Sequence, residues 1–151
     1  MKKIVLVVFI FCIPLFFILA QPREPVIKTS CEALVVCAFQ QLLTGTNATN
    51  TQLQNVLSQA IKDGVLLENG KVIDREALAS LVLKTLGQTE IVVTFGSEPS
   101  GKGKHIGYIL EVTNNTGNCF ILAGTNKEPL YNPCNFKGSV VSALEVYVYA
   151  L

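Results

Sequence analysis

The chain has 151 residues, of which half are hydrophobic and 15% are charged, and its formal net charge is +1 at pH 7. A charge balance this close to neutral provides no basic patch, which excludes nucleic-acid binding driven by attraction to phosphates. The length is sufficient for one domain with a hydrophobic core and too short for two.

The N-terminal segment predicts export. A pair of lysines precedes an uncharged apolar run, residues 4–20, which is typical of a secretory signal peptide or an uncleaved membrane anchor. We therefore expect residues 1–20 to be this segment, residues 21–28 to be a linker, and residues 29–151 to form one domain. That domain would be secreted or periplasmic, or attached to the outer face of the membrane through residues 4–20 if the segment is not cleaved.

The first half of the domain has helical patterns. Thr29 and Glu32 match a capping box, with Thr29 as the N-cap of an almost wholly apolar helix that ends near Gly45. Because this helix is apolar on most sides, we expect it to run through the core. A second helix is predicted over residues 51–62 from its single apolar stripe, and a third helix follows at residues 75–86.

After Gly87 the apolar residues alternate as in strands. The predicted extended segments are residues 90–95, 105–112, 119–123, 129–133 and 140–149. Helices followed by such strands predict an α+β domain, in which the helices pack on an antiparallel sheet.

Four cysteines follow the leader, and an even number in an exported protein suggests disulfides. Cys31 and Cys37 lie about 9 Å apart along one predicted helix, too far to be bridged. A tight hairpin centred on residues 126–127 would place Cys119 opposite Cys134, at about 4.5–5.5 Å between Cα atoms. We predict that disulfide and expect Cys31 and Cys37 to be free thiols, although a bond from Cys31 to Cys119 or Cys134 stays open.

The remaining chemistry favours a cysteine nucleophile. With a single histidine and no C-x-x-C spacing, the sequence predicts neither a metal site nor a cofactor. Cys31 lies in the first turn of its helix, where backbone N–H groups and the helix dipole stabilise a thiolate. His105 begins a strand after a glycine-rich loop and would act as the general base, with a third polar residue orienting its ring.

Three segments carry a family resemblance: Cys31-Glu32-Ala33-Leu34, the stretch from Gly101 to Tyr108, and Leu130-Tyr131-Asn132-Pro133. In this order they resemble the papain-like cysteine peptidase fold, especially bacteriocin-processing peptidases and a spirochaetal family of unknown function. The resemblance implies a hydrolase that cleaves peptide or amide bonds in a peptide or protein substrate. Cys31 would attack, His105 would carry the proton, and Asn132 would orient the ring.

Two features leave alternatives open. Asn126 also fits the orienting role, since folding residues 105–113 back on 119–127 places it opposite His105. The families above have a glutamine several residues before the cysteine that helps to bind the oxyanion, and residues 22–30 contain none. The second hypothesis is therefore a non-catalytic exported binding module on the same scaffold, acting through its sheet or its loops.

Overall fold

The computed structural model describes residues 30–96 and 101–151. The predicted leader, the linker and Thr29 lie outside these residues. Within the described part, none of the helices is long and apolar enough to cross a membrane. The elements in chain order are α1 (Cys31–Ala38), α2 (Gln40–Thr44), α3 (Asn50–Lys62), α4 (Arg75–Thr85), β1 (Ile91–Phe95), β2 (Lys104–Asn114), β3 (Gly117–Ala123), β4 (Pro129–Tyr131) and β5 (Ser139–Ala150).

The five strands form one sheet in the order β1-β5-β2-β3-β4, and every neighbouring pair is antiparallel. The central strand β2 pairs with β5 on one side and with β3 on the other. The predicted α+β class is confirmed, with helices first and an antiparallel sheet after them.

The start of α1 differs from the prediction. The N-cap is Ser30, whose hydroxyl accepts the N–H of Ala33 at 3.2 Å, so the helix begins at Cys31. The predicted capping box of Thr29 and Glu32 is therefore wrong. The Glu32 carboxylate instead accepts the Nε–H of Arg75 at 2.7 Å, which joins the beginnings of α1 and α4.

The apolar helix is also interrupted once. The Phe39 N–H donates to the Val36 carbonyl at 3.3 Å, a tighter turn than an α-helix has, and α2 continues from there to its C-cap at Gly45. Phe39 is fully buried, and its ring packs edge-on against Phe95 with centroids 6.4 Å apart. Gly45 has φ 72°, a left-handed conformation that glycine adopts without steric cost.

The sheet has two different faces. The helices cover one face, where side chains of α1, α3 and α4 share a buried cluster with Val93, Ile109, Leu122 and Val146. On the other face, which none of the described helices covers and which we call the helix-free face, Leu110, Val112, Ile121 and Ala123 form a smaller cluster with Tyr108 and Phe136. Because side chains alternate across a strand, the remainder of this helix-free face carries the residues that lie between the core positions of β1, β2 and β5.

Candidate functional site

Cys31, the predicted nucleophile, is bonded to another cysteine. Its sulfur forms a disulfide with Cys134, which lies 103 residues later in the chain, and the two Cα atoms are 6.8 Å apart. This bond fastens the first residue of α1 to the loop between β4 and β5. A disulfide sulfur has no free thiolate, so Cys31 in this state cannot attack a carbonyl carbon.

The predicted disulfide between Cys119 and Cys134 is therefore wrong. The predicted hairpin register holds at one pair, Leu122 with Tyr131, but a bulge shifts it at the next pair, Ala123 with Pro129. The pairing stops at Tyr131, because Pro133 has no N–H for the ladder and Asn132 starts a turn. The chain then leaves the sheet and brings Cys134 to the start of α1.

Cys119 nevertheless lies beside this disulfide. The sulfur atoms of Cys31, Cys119 and Cys134 all lie within 4.8 Å of one another, and we call this group the sulfur cluster. Cys134 is exposed, Cys31 is half-buried and Cys119 is buried. Cys119 is a free thiol whose S–H donates to the Phe120 carbonyl at 3.6 Å. Burial raises the pKa of the Cys119 thiol, and this backbone hydrogen bond opposes the rise.

Cys37 is a free thiol in the core, as expected. It is 3% exposed and belongs to the same buried cluster as the other apolar residues of α1. Desolvation raises its pKa to about 12, so the thiol stays protonated at physiological pH and has no nucleophilic character.

His105 lies far from the sulfur cluster. Cys119 pairs with Val112 of β2, and His105 is seven residues earlier on the same strand. At about 3.3 Å per residue, shortened by a bulge, this separation is roughly 20 Å. The ring also lies on the helix-free face, because His105 pairs with Tyr147 while the neighbouring Val146 belongs to the core under the helices. The structure does not bring Cys31 and His105 together.

The two candidate orienting residues hold turns. Asn132 donates from Nδ2 to the Phe136 carbonyl and accepts the Phe136 N–H at Oδ1, both at 2.9 Å. Asn126 accepts the Glu128 N–H at 3.1 Å. The His105 ring itself is hydrogen-bonded through Nε2 to the Gly107 carbonyl at 2.9 Å. No Cys-His-Asn site is assembled among the residues that the structure describes.

His105 belongs to a different group of side chains, which the catalytic hypothesis did not include. Its ring centroid lies 4.7 Å from that of Tyr108 and 5.3 Å from that of Tyr147, and the ring planes are inclined by 74° and 49°. Tyr149, two residues after Tyr147 on β5, places its hydroxyl 3.4 Å from the Thr94 hydroxyl. We call His105, Tyr108, Tyr147 and Tyr149 the aromatic face; all four are half-buried.

Charges of both signs border the aromatic face. The Tyr147 hydroxyl donates to the Glu145 carboxylate at 2.8 Å. The Lys127 ammonium lies 5.0 Å from the centre of the Tyr108 ring, within the range of a cation–π contact. Lys127 itself has φ 64°, in the turn that closes with a hydrogen bond from the Gly124 N–H to the Glu128 carbonyl.

A cavity of about 220 Å³ opens between α1 and the segment before α3. Among its lining residues is Gln40, which is 2% exposed and whose Oε1 has no hydrogen-bond partner among the described residues. Its volume lies below the roughly 300–1,000 Å³ that is usual for small-molecule sites. The aromatic face is therefore the stronger candidate for a binding surface.

The signal for the aromatic face was present in the sequence. Leu144, Val146 and Val148 alternate with Glu145, Tyr147 and Tyr149, so two tyrosines share the strand face that is turned away from the core.

A scan against protein-family models, a search of curated proteins and a search of solved structures found no match to this chain.

Proposed function

We propose that the protein is a non-catalytic, exported binding module whose aromatic face binds an extended peptide segment of another protein. The observation that carries this proposal is the position of His105. It lies among half-buried tyrosines on the helix-free face, while Cys31 is held in a disulfide roughly 20 Å away along β2.

The same contacts argue against the thiol hydrolase. That mechanism needs a Cys31 thiolate within hydrogen-bond reach of His105, about 2.6–3.2 Å or somewhat more in a substrate-free site. Here the sulfur is bonded to Cys134 and the imidazole Nε2 is bonded to the Gly107 carbonyl. The sequence resemblance to papain-like peptidases therefore supports no catalytic role for this pair.

A polypeptide fits the aromatic face better than a sugar or a nucleic acid does. Tyrosine is enriched at protein interfaces, because each ring supplies apolar area and a polar end. The neighbouring rings are inclined to one another rather than coplanar, so they form no flat platform for a sugar ring. Lys127 and Glu145 can pair with peptide side chains of opposite charge, and the near-neutral chain gives no attraction for phosphates.

Export is supported by two features. The basic start and the apolar run of residues 4–20 have the character of a leader. A disulfide such as Cys31–Cys134 persists in oxidising compartments and is rare in the cytosol.

The test is a selection of binding peptides on the purified full chain. Random dodecamers displayed on phage are selected, and the dissociation constants of the recovered synthetic peptides are measured by calorimetry. We expect Tyr147→Ala to weaken binding about tenfold or more, as truncation of a buried interface aromatic does. Gln54→Ala, an exposed change on α3 in the helical layer, is the matched control and should leave the affinity unchanged.

Recovered peptides that bind Tyr147→Ala and the wild type equally well would contradict the proposal, as would a selection that yields no binder. Tyr147→Phe keeps the ring and removes the hydrogen bond to Glu145, so it separates the contribution of the ring from that of the hydroxyl.

The hydrolase hypothesis has a separate test in the reduced protein. Labelling of Cys31 by iodoacetamide between pH 5 and pH 8 should be the same in wild type and in His105→Ala, within about twofold, because the two groups do not meet. A large slowing at low pH in His105→Ala would show a coupled thiolate and imidazole, and would restore the catalytic proposal.

A further inference from the structure

We propose that the sulfur cluster is a thiol–disulfide exchange site, at which a small thiol opens the Cys31–Cys134 bond and Cys119 serves as the internal resolving thiol. The proposal does not depend on the aromatic face. It rests on three sulfur atoms within 4.8 Å of one another, of which two are bonded and the third is a thiol.

The burial of the three residues sets the order of events. Cys134 is exposed, so a small thiol from solution reaches its sulfur first. Cys119 is only 2% exposed and is shielded from reagents in solution, but its sulfur lies beside both bonded sulfurs. Exposed disulfides are more easily exchanged than buried ones, and a neighbouring thiol offers an intramolecular route.

In the first step the thiolate of the small molecule attacks the Cys134 sulfur. A mixed disulfide forms on Cys134, the bond to Cys31 breaks, and its electron pair leaves on the Cys31 sulfur. Cys31 is a suitable leaving group, because it is the first residue of α1 and the backbone N–H groups there stabilise a thiolate. A leaving thiol of lower pKa departs faster.

In the second step Cys119 passes its proton to the Cys31 thiolate and attacks the Cys134 sulfur. A bond between Cys119 and Cys134 forms, and the small thiol leaves as its thiolate. The net change converts the Cys31–Cys134 disulfide and the Cys119 thiol into a Cys119–Cys134 disulfide and a Cys31 thiol. No electrons are gained or lost overall, so the small thiol acts as a catalyst and no oxidant is needed.

The geometry is compatible with the product. The Cys119 sulfur already lies within 4.8 Å of the Cys134 sulfur, so a bond of about 2 Å between them requires the loop after β4 to move by only a few ångströms. The product state exposes a thiol at the first position of α1, a modification site that is closed while the Cys31–Cys134 bond is intact.

The experiment uses the full chain in a glutathione buffer of reduced and oxidised forms at pH 8. Samples are quenched with acid, alkylated under denaturing conditions, digested and mapped by mass spectrometry. We expect both Cys31–Cys134 and Cys119–Cys134 linked peptides, with Cys37 alkylated throughout. If every molecule that retains a disulfide contains Cys31–Cys134 alone, at all glutathione ratios, the proposal is overturned.

Two variants test whether Cys119 is the resolving thiol. In Cys119→Ala only the return of Cys31 can resolve the glutathione mixed disulfide on Cys134, so this mixed disulfide should make up a larger share of the molecules than in wild type. Cys37→Ala removes a free cysteine outside the cluster and should behave as wild type does. Equal amounts of mixed disulfide in all three proteins would also overturn the proposal, and the mapping of the wild type does not depend on the folding of either variant.

Discussion

The sulfur cluster and the aromatic face lie at opposite ends of β2 and are built in different ways. The sulfur cluster joins three segments that are distant in sequence: the start of α1, the start of β3 and the loop after β4. The aromatic face is built from the neighbouring strands β2 and β5, and a bulge between His105 and Gly107 turns His105 and Tyr108 to the same side of the sheet. A Cys…His…Asn order along the chain therefore does not determine which end of a strand meets the start of a helix.

The catalytic hypothesis placed Cys31 and His105 in one site. Cys31 and His105 each have a surrounding that suits a functional residue, but the two surroundings are different regions. The separation runs along β2, since Cys119 of the sulfur cluster pairs with Val112 and His105 lies seven residues earlier on that strand.

Removal of the Cys31–Cys134 disulfide should cause the largest loss of stability. In the double variant Cys31→Ser, Cys134→Ser, the free energy of unfolding should fall by about 4 kcal/mol, because a bond that closes a loop of this length strongly restricts the unfolded chain. Urea unfolding under oxidising conditions measures the difference. His105→Ala, the matched change at the aromatic end, should cost less than about 1 kcal/mol because its ring is half-exposed.

If the double variant is as stable as the wild type, the Cys31–Cys134 bond does not stabilise the fold by joining α1 to the loop after β4. Wild type treated with a reductant provides the control, since it should lose as much stability as the double variant does.

Cys37 adds a third point to the comparison, six residues after Cys31. Its folded-state pKa is raised from 9.0 to about 12 by burial. Because the folded protein holds the Cys37 proton more tightly than the unfolded chain does, this group contributes its full stabilisation below pH 9.0. The stabilisation is lost as the pH rises from 9.0 towards 12. The contribution lost by pH 10 is about 1 kcal/mol.

The measurement compares wild type with Cys37→Ala at pH 7.5 and at pH 10. We expect the difference between their free energies of unfolding to shrink by about 1 kcal/mol at the higher pH. Other groups that ionise in this range are present in both proteins and cancel in the difference. A difference that stays constant would place the Cys37 thiol in contact with solvent.

The smallest effect concerns where α1 begins. Ser30→Ala should lower the free energy of unfolding by about 1 kcal/mol, because the Ser30 hydroxyl accepts the Ala33 N–H. Thr29→Ala is the control and should cost less. Both losses are measured by thermal unfolding. A larger loss for Thr29→Ala than for Ser30→Ala would show that α1 begins one residue earlier and that Cys31 is not its first residue.

Much of the fold was predictable from local patterns. The apolar stripe of α3 and the alternation along β5 each depend on neighbours within a few residues. The pairing of β3 with β4 was predictable in part. The hairpin centre at residues 126–127 gives the observed match of Leu122 with Tyr131 but not the bulge at the next pair, Ala123 with Pro129.

The disulfide was not predictable, because it depends on where a segment leaves the sheet. Pro133 and the Asn132 turn end β4 before the ladder reaches Cys134, and only the packed position of α1 shows that Cys31 is the partner. The catalytic site was wrongly predicted for the same reason, because it also depends on how distant segments pack. Sequence patterns indicated that Cys31 and His105 begin a helix and a strand, but not that these beginnings lie at opposite ends of the sheet.

The bond from Cys31 to Cys134 also determines how the domain carries mechanical load. Tension applied to the two ends of the chain passes from Cys31 through the disulfide directly to β5, the strand held between β1 and β2. The described chain between Cys31 and Cys134, which includes the rest of α1 and all of α2, α3 and α4, lies outside this path. A protease cut anywhere between the two bonded cysteines would likewise leave both fragments covalently joined.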